Sequence, residues 1–208
     1  MKKAILLIAV ATFIGGTISA QEDTRSNLHF GLKVGANLSN VYDTKGEEFK
    51  ADPRFGLVTG AFISIPIGPY IGIQPEILFS QKGFQATGKI LGSSYKFTRT
   101  TSYIDVPLLV ALKPVPMLTI LAGPQYSYLI KQKDEFSGGT SIVNEEEFDN
   151  DNIRKNTLCF LGGIDLNLDP IVIGARVGWD LYDNNGDGTS TTPRYKNVWY
   201  QATVGFRF

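Results

Sequence analysis

Cysteine and histidine are nearly absent from this 208-residue chain, which has one of each, Cys159 and His29. A single cysteine excludes an internal disulfide framework and a zinc site of the cysteine type. Small barrels that act on lipid by histidine catalysis place the histidine and a hydroxyl nucleophile within hydrogen-bond reach of each other, near the outer rim. His29 comes at the start of the first predicted strand and not near that rim, so we interpret it as an interfacial polar residue. We predict no catalytic, cofactor-binding or metal-binding residues, and no cofactor.

The chain also has no excess of positive or negative residues, because 20 Lys and Arg are balanced by 20 Asp and Glu. Nothing in it resembles the basic footprint of a nucleic-acid-binding protein, so we predict no such partner. Long segments with helical periodicity are missing as well. The chain instead has 22 glycines and 12% aromatic residues. This composition indicates an all-β protein. The mean hydropathy of −0.02 does not argue against a membrane barrel, because only alternate residues of its strands face lipid and the average over all residues stays low.

The amino terminus has the pattern of a secretory signal peptide. Lys2 and Lys3 precede an apolar run over 4–14, and small residues lead to Ala20. A retained membrane helix is the weaker interpretation, since the run is much shorter than the roughly 20 residues that a helix needs to cross a bilayer. We predict cleavage after Ala20, which divides the chain into a signal peptide at 1–20 and one domain at 21–208.

Strands are indicated by apolar residues at every second position, as in Tyr200, Ala202, Val204, Phe206 and the terminal Phe208. The same alternation predicts about eight strands, most of them longer than the roughly 9–11 residues that a tilted strand needs to cross a membrane. The predicted strands are 28–41, 54–67, 70–81, 96–112, 117–131, 157–168, 171–182 and 195–208.

The connections alternate between short and long. Tight, proline-marked turns are predicted at 68–69, 113–116 and 169–170, and long polar loops at 42–53, 82–95, 132–156 and 183–194. Outer-membrane barrels have short periplasmic turns and longer extracellular loops. We therefore predict a closed antiparallel up-and-down transmembrane β-barrel with both termini in the periplasm.

The two faces of these strands differ in chemistry. The aliphatic and aromatic face is predicted to contact lipid, and it includes Phe30, Leu32, Val34, Ile77, Ile104, Val106, Leu108, Val110, Ile164, Ile173, Tyr126, Tyr128, Trp179 and Tyr200. The other face, which collects nearly every strand glycine except Gly162, is predicted to line the lumen with Lys33, Asn37, Gln74, Glu76, Asp105, Gln125, Asp165, Asn167, Arg176, Asp180, Gln201 and Arg207. Cys159 belongs to this inner face and is predicted to be inert packing.

Charges in a closed lumen need partners, because an isolated buried ion costs several kcal/mol. We expect Arg176, Lys33 and Arg207 to balance the four lumen carboxylates. The result would be a structural polar core. An ion or proton path is the alternative, and it is disfavoured because eight strands leave no open channel.

Three segments resemble the PorT-type outer-membrane β-barrel family: FGLKVGANLS at 30–39, IQPEILFSQKG at 73–83 and YIDVPLL at 103–109. The resemblance extends over essentially the whole mature chain, including 122–124 and the aromatic carboxyl terminus. Family members usually have Glu where this chain has Asp105, which keeps the charge. The resemblance implies an integral outer-membrane barrel of about eight strands and says little about biochemical activity.

One loop matches the first half of a calcium-binding loop. Asp183, Asn185 and Asp187 occupy ligand positions 1, 3 and 5, and Gly188 is at position 6, but Arg194 stands where a bidentate Glu is required. The Asp, Asn and Gly content also suits an ordinary hairpin loop. Calcium binding at this loop is therefore left open.

Two classes of function remain. The first is a non-enzymatic outer-membrane barrel with a structural or interaction role, in contact with outer-membrane lipid and lipopolysaccharide, and delivered by the barrel assembly machinery through its carboxyl-terminal strand. The second is a soluble periplasmic ligand-binding barrel of lipocalin type, with the apolar face inside. An enzyme acting on lipid at the outer leaflet is a third, weaker possibility. The long loop at 132–156 is expected to be solvated and mobile, with a surface partner or a cation bridge to lipopolysaccharide phosphates as alternatives. Its acidic residues are Asp134, Glu135, Glu145, Glu146, Glu147, Asp149 and Asp151.

Overall fold

The computed structural model describes residues 24–43, 51–90, 93–138, 141–146, 154–184 and 195–208. After a short 3-10 turn (Thr24–Ser26), the strands are β1 (His29–Asp43), β2 (Ala51–Pro66), β3 (Ile71–Ile90), β4 (Ser93–Val115), β5 (Leu118–Gly138), β6 (Ser141–Glu146), β7 (Asn156–Leu168), β8 (Ile171–Asp180) and β9 (Tyr195–Arg207). The predicted signal peptide and most of the calcium-like loop lie outside these residues. None of the helices in this part of the chain is long and apolar enough to cross a membrane.

Eight of the strands form a closed ring. Each of β1 to β4 pairs antiparallel with the next, β4 pairs with β5, β5 with β7, and β7, β8 and β9 follow in order. The ring closes between the first and last strands, where the register runs from Gly31 opposite Arg207 to Asp43 opposite Tyr195. The predicted up-and-down barrel of eight antiparallel strands is therefore confirmed.

The two ends of the barrel differ as the connection lengths predicted. The three short connections, the start of β1 and the end of β9 share one end, which we call the turn end, and the long connections share the other, the loop end. The strands are longer at the loop end than predicted, since β3 continues to Ile90 and β5 to Gly138. Residues 82–90 and 93–95, predicted as a loop, are mostly paired strand.

Gly83 lies in the part of β3 that was predicted as a loop. It has a φ of 148°, a backbone conformation that side-chain-bearing residues rarely adopt, and it lies within a register shift in the pairing of β2 with β3. The strand continues past it because 83–90 pair with 93–100 of β4. The short β6, which the sequence analysis missed, pairs with the end of β5 and is not part of the ring.

Every residue of the predicted lipid face is exposed or half-exposed on the outside of the ring. The contrast between neighbours is sharp: Leu108 is 53% exposed and Leu109 is 1% exposed. A lipocalin-type barrel requires the reverse, with aliphatic groups inside and charges outside. That alternative is wrong for this chain, because its aliphatic stripe surrounds the barrel and its charged residues fill the centre.

The inward glycines make room for bulky lumen side chains, as predicted. A Cβ added at Gly178 would lie 2.3 Å from the indole of Trp199, and one at Gly31 would lie 2.3 Å from the ring of Phe62. Gly162, the predicted exception, points outward, where an added Cβ would have its nearest contact at 3.9 Å, the backbone oxygen of Leu121. Missing side chains on one strand thus accommodate large side chains on its neighbours.

Placing a charge on the outer face should be costly in a way that depends on depth. Leu108 lies midway along the outward stripe of β4, whereas Val115 lies at the turn end, and both are exposed. We expect Leu108→Arg to lower the free energy of unfolding by roughly 2–4 kcal/mol in phospholipid vesicles, and Val115→Arg by roughly 0–1 kcal/mol. Urea unfolding of both variants measures the difference. Equal, small effects would contradict a lipid-facing position for this stripe.

Candidate functional site: the ion-paired lumen

The lower half of the lumen contains a neutral cluster of two cations and two carboxylates. Arg176 donates two hydrogen bonds of 2.8 Å to the carboxylate of Glu76 and bonds of 3.2 and 3.0 Å to Asp165. Lys33 forms an ion pair with Glu76 from the opposite side. Gln74 donates to both carboxylates, at 3.0 and 3.3 Å. Four strands thereby meet in one hydrogen-bonded group, which we call the lower cluster.

The lower cluster forms because period-two strands direct these residues inward beside small neighbours. A Cβ at Gly163 would approach Cγ of Arg176 to 2.7 Å, and one at Gly174 would approach a carboxylate oxygen of Asp165 to 2.8 Å. The side chains of Glu76 and Arg176 are 0% and 1% exposed. Charges this deeply buried are tolerated only when paired and hydrogen-bonded, and here both conditions are met.

A second cluster, the upper cluster, lies nearer the loop end. The ammonium group of Lys82 is 2.9 Å from Asp105, 3.9 Å from the centre of the Trp199 ring and 4.7 Å from that of Tyr103. It is therefore held by one carboxylate and two aromatic faces, and cation–π attraction of this kind is strongest where water is excluded. Asp180 completes the cluster by accepting hydrogen bonds from Asn197.

Asn37 joins β1 to β3 and β9 inside the lumen. Its amide nitrogen donates to Ser80 and to the backbone oxygen of Gln81, at 2.9 and 3.0 Å, and its oxygen accepts from Gln201 at 3.1 Å. The thiol of Cys159 donates to Asp180 at 3.2 Å and lies 3.5 Å from Ser127. Cys159 is thus buried on the inner face as predicted, and it takes part in the polar network.

Above the upper cluster, the strand extensions cover the loop end. Arg99 donates to both oxygens of Asp134, at 2.8 and 2.6 Å, and to the hydroxyl of Tyr195 at 3.0 Å. Burial alone would lower the pKa of Arg99, but the hydrogen bonds to Asp134 and the charge of that carboxylate raise it above its ordinary value. Phe84 packs against Tyr195 and Phe97, with ring centres 5.6 and 6.0 Å apart.

The turn end is covered by the residues that precede β1. Arg25 donates to the backbone oxygens of Lys113 and Pro114, both at 3.4 Å, and lies 4.7 Å from the centre of the Tyr70 ring. Behind it is a cavity of about 20 Å³. A cavity of that size holds roughly one water-sized occupant.

The described residues contain no group of three or more His, Cys, Asp and Glu placed to hold a metal ion. His29 is half-buried at the turn-end start of β1, where it was predicted. Asp183 and Asn184 are described, but 185–194 are not, so calcium binding by this loop stays a prediction.

The outer membrane protein beta-barrel domain, as a family model, matches residues 19–185. The chain belongs to this family. No curated protein sequence matches it. Strand β9, which closes the ring against β1, lies beyond the matched residues.

Solved outer-membrane barrels resemble this family member in structure. The attachment invasion locus protein Ail of Yersinia pestis shares 14% identity at a TM-score of 0.45, over 86% of this chain and 98% of its own. Neisserial surface protein A shares 12% identity at a TM-score of 0.49, over 86% and 97%. OprG of Pseudomonas aeruginosa shares 14% identity at a TM-score of 0.37, over 86% and 95%.

The predicted lumen residues of this outer membrane barrel lie inside the ring, with one qualification. Eleven of the twelve are buried, whereas Arg207 is half-buried at the turn end and pairs with Asp169 at 3.3 Å. The expectation that Arg207 balances a lumen carboxylate is therefore wrong. Arg207 is the last residue of β9 and lies at the rim, where it pairs with Asp169 of the β7–β8 turn.

The sequence analysis missed Lys82, which is the true partner of Asp105. The signal was present, because Gln74, Glu76 and Ser80 already define the inward positions of β3 and Lys82 continues the same period. Ending the strand at Gln81 placed this lysine in a loop. Trp199 and Asn197 were missed as well. Both share the inward parity of Gln201 on β9, but a tryptophan was not expected on a polar inner face.

Proposed function

We propose that this protein is a non-enzymatic integral outer-membrane barrel with a structural or interaction role, anchored by its apolar outer face and filled rather than open in its lumen. The ion-paired lower cluster carries the proposal. Arg176 of β8 reaches Glu76 of β3 across the barrel, and side chains joined across an eight-stranded interior leave no continuous path for solutes.

The proposal includes export and assembly. A signal peptide cleaved after Ala20 would deliver the chain to the periplasm, with both termini remaining there. The outward residues of β9 from Tyr200 to Phe208 would present the terminal aromatic pattern to the barrel assembly machinery. Outer-membrane lipid and lipopolysaccharide would surround the apolar stripe. Membership of the narrower PorT-type group, and an envelope protein partner, stay predictions.

Conductance measurements test the filled lumen. We expect the protein to remain in the outer-membrane fraction when cell envelopes are washed with concentrated urea. We expect the purified protein to give no stepwise current in planar bilayers. An open porin of known conductance serves as the positive control. Regular current steps from this protein would contradict a filled lumen, recovery in the soluble periplasm would contradict membrane anchoring, and turnover of a lipid substrate would contradict a non-enzymatic role.

A further inference from the structure

The cavity at the turn end is lined by three cationic residues, Arg25, Lys113 and Arg207. Lys113 is unusual among them because it is only 6% exposed and has no carboxylate partner among the described residues. Its ammonium group donates to the backbone oxygen of Arg25 at 3.1 Å. A carbonyl dipole offsets part of the cost of burying the ammonium group but supplies no negative charge.

The carboxylates nearby are engaged elsewhere. Asp165 lines the same cavity, but both of its oxygens accept hydrogen bonds from Arg176, and one accepts from Gln74 as well. Asp169 pairs with Arg207 at 3.3 Å. Neither of these two carboxylates therefore serves as the counter-charge of Lys113.

Neutral hydrogen-bond donors complete the lining. Asn167 donates to the hydroxyl oxygen of Thr119 at 2.9 Å, which leaves the hydroxyl hydrogen of Thr119 free to donate to another group. The hydroxyl of Ser64 lines the same space. The residues around this small cavity thus carry one ammonium group, two guanidinium groups and two hydroxyl groups, which are hydrogen-bond donors of the kind that an anion requires.

We propose that this turn-end cavity binds a small inorganic anion of the size of chloride, held by the Lys113 ammonium group with Arg207 and Thr119 beside it. A volume of about 20 Å³ suits a single ion of this size. The bound anion supplies the counter-charge that Lys113 lacks, and it lies directly behind the Arg25 cover. The site goes beyond the proposed structural role, because a filled barrel does not need it to remain closed.

Bromide is a suitable probe, since it resembles chloride and scatters X-rays anomalously. Crystals of the full mature protein grown in sodium bromide should show an anomalous peak in the cavity within hydrogen-bond distance of Lys113 Nζ. Replacing sodium gluconate by sodium bromide at constant ionic strength should raise the midpoint of thermal unfolding. In Lys113→Gln both the peak and the rise should disappear. A loop-end control, Lys196→Gln, should keep both.

Two outcomes would overturn the proposal. The first is a water-only cavity in the wild-type protein, with equal unfolding midpoints in bromide and gluconate. The second is a bromide peak that persists in Lys113→Gln, which would mark an adventitious ion only. If Lys113→Gln does not fold, Lys113→Arg replaces it, and with a larger cation in the cavity the peak should shift or weaken.

Discussion

Replacing Arg176 by methionine should lower the free energy of unfolding by about 3–5 kcal/mol, the usual cost of removing one partner from a buried ion pair. Arg176 alone contacts both Glu76 and Asp165 through paired hydrogen bonds. Without it, two carboxylates and one lysine remain in a closed lumen. Urea unfolding in detergent micelles or vesicles measures the loss. The folded fraction at each urea concentration is read from the heat-dependent shift in electrophoretic mobility that folded barrels show.

An exposed ion pair provides the control for this experiment. Lys133 and Glu135 are 2.9 Å apart, with side chains 35% and 48% exposed. Because solvent screens such pairs, Lys133→Gln should change the free energy of unfolding by no more than about 1 kcal/mol. If Arg176→Met is as mild as the control, water must reach the lower cluster, and the lumen is not filled as proposed.

The second large effect is expected at Lys82, where a single and a double replacement should differ. Lys82→Met leaves the buried carboxylate of Asp105 without its cation and should cost about 3–5 kcal/mol. Lys82→Met combined with Asp105→Leu removes both charges and should restore most of that loss. Aromatic faces of Trp199 and Tyr103 surround the site, so apolar side chains would find suitable neighbours there.

The comparison of the two variants separates charge pairing from packing. If the double variant is as unstable as Lys82→Met, the lysine acts mainly through its contacts with the aromatic rings and not through Asp105. The exposed-pair variant serves again as the reference. Both experiments use equilibrium unfolding, so the measured values share one scale.

Together these clusters describe a barrel whose packing is inverted relative to that of a soluble protein. The aliphatic groups of residues such as Leu108 are directed outward, and the lumen contains hydrogen-bonded ion pairs beside buried apolar side chains such as Leu109 and Leu161. Such a core is directional, because each carboxylate has named partners at defined atoms. It is consequently more sensitive to the loss of one member than an aliphatic core of the same size.

The eight strands, the short and long connections and the two chemically distinct faces could all be predicted from the sequence. Each depends on local information, namely the alternation of side chains along a strand and proline or glycine in a turn. Strand ends were the weak point. The third strand was predicted to end at Gln81, and that error removed Lys82 from the lumen.

Partner choice inside the lumen could not be predicted, because it depends on closure of the ring. Arg176 and Glu76 are 100 residues apart, on strands that are not neighbours, and meet because the interior is narrow. The pairing of Arg207 with Asp169 likewise depends on which turn lies next to the end of β9. Composition suggested which charges must balance but could not assign one to another.

By itself, the sequence determined that this chain forms alternating strands with one apolar and one polar face, since side-chain direction repeats every two residues in any strand. The tertiary structure decided that the apolar face is outside, which ions meet across the lumen, and that Lys113 has no carboxylate partner within the part of the chain that the structure describes. The physical reason is that alternation is a property of each strand alone. Inside, outside and the distance between distant residues exist only once the sheet has closed on itself.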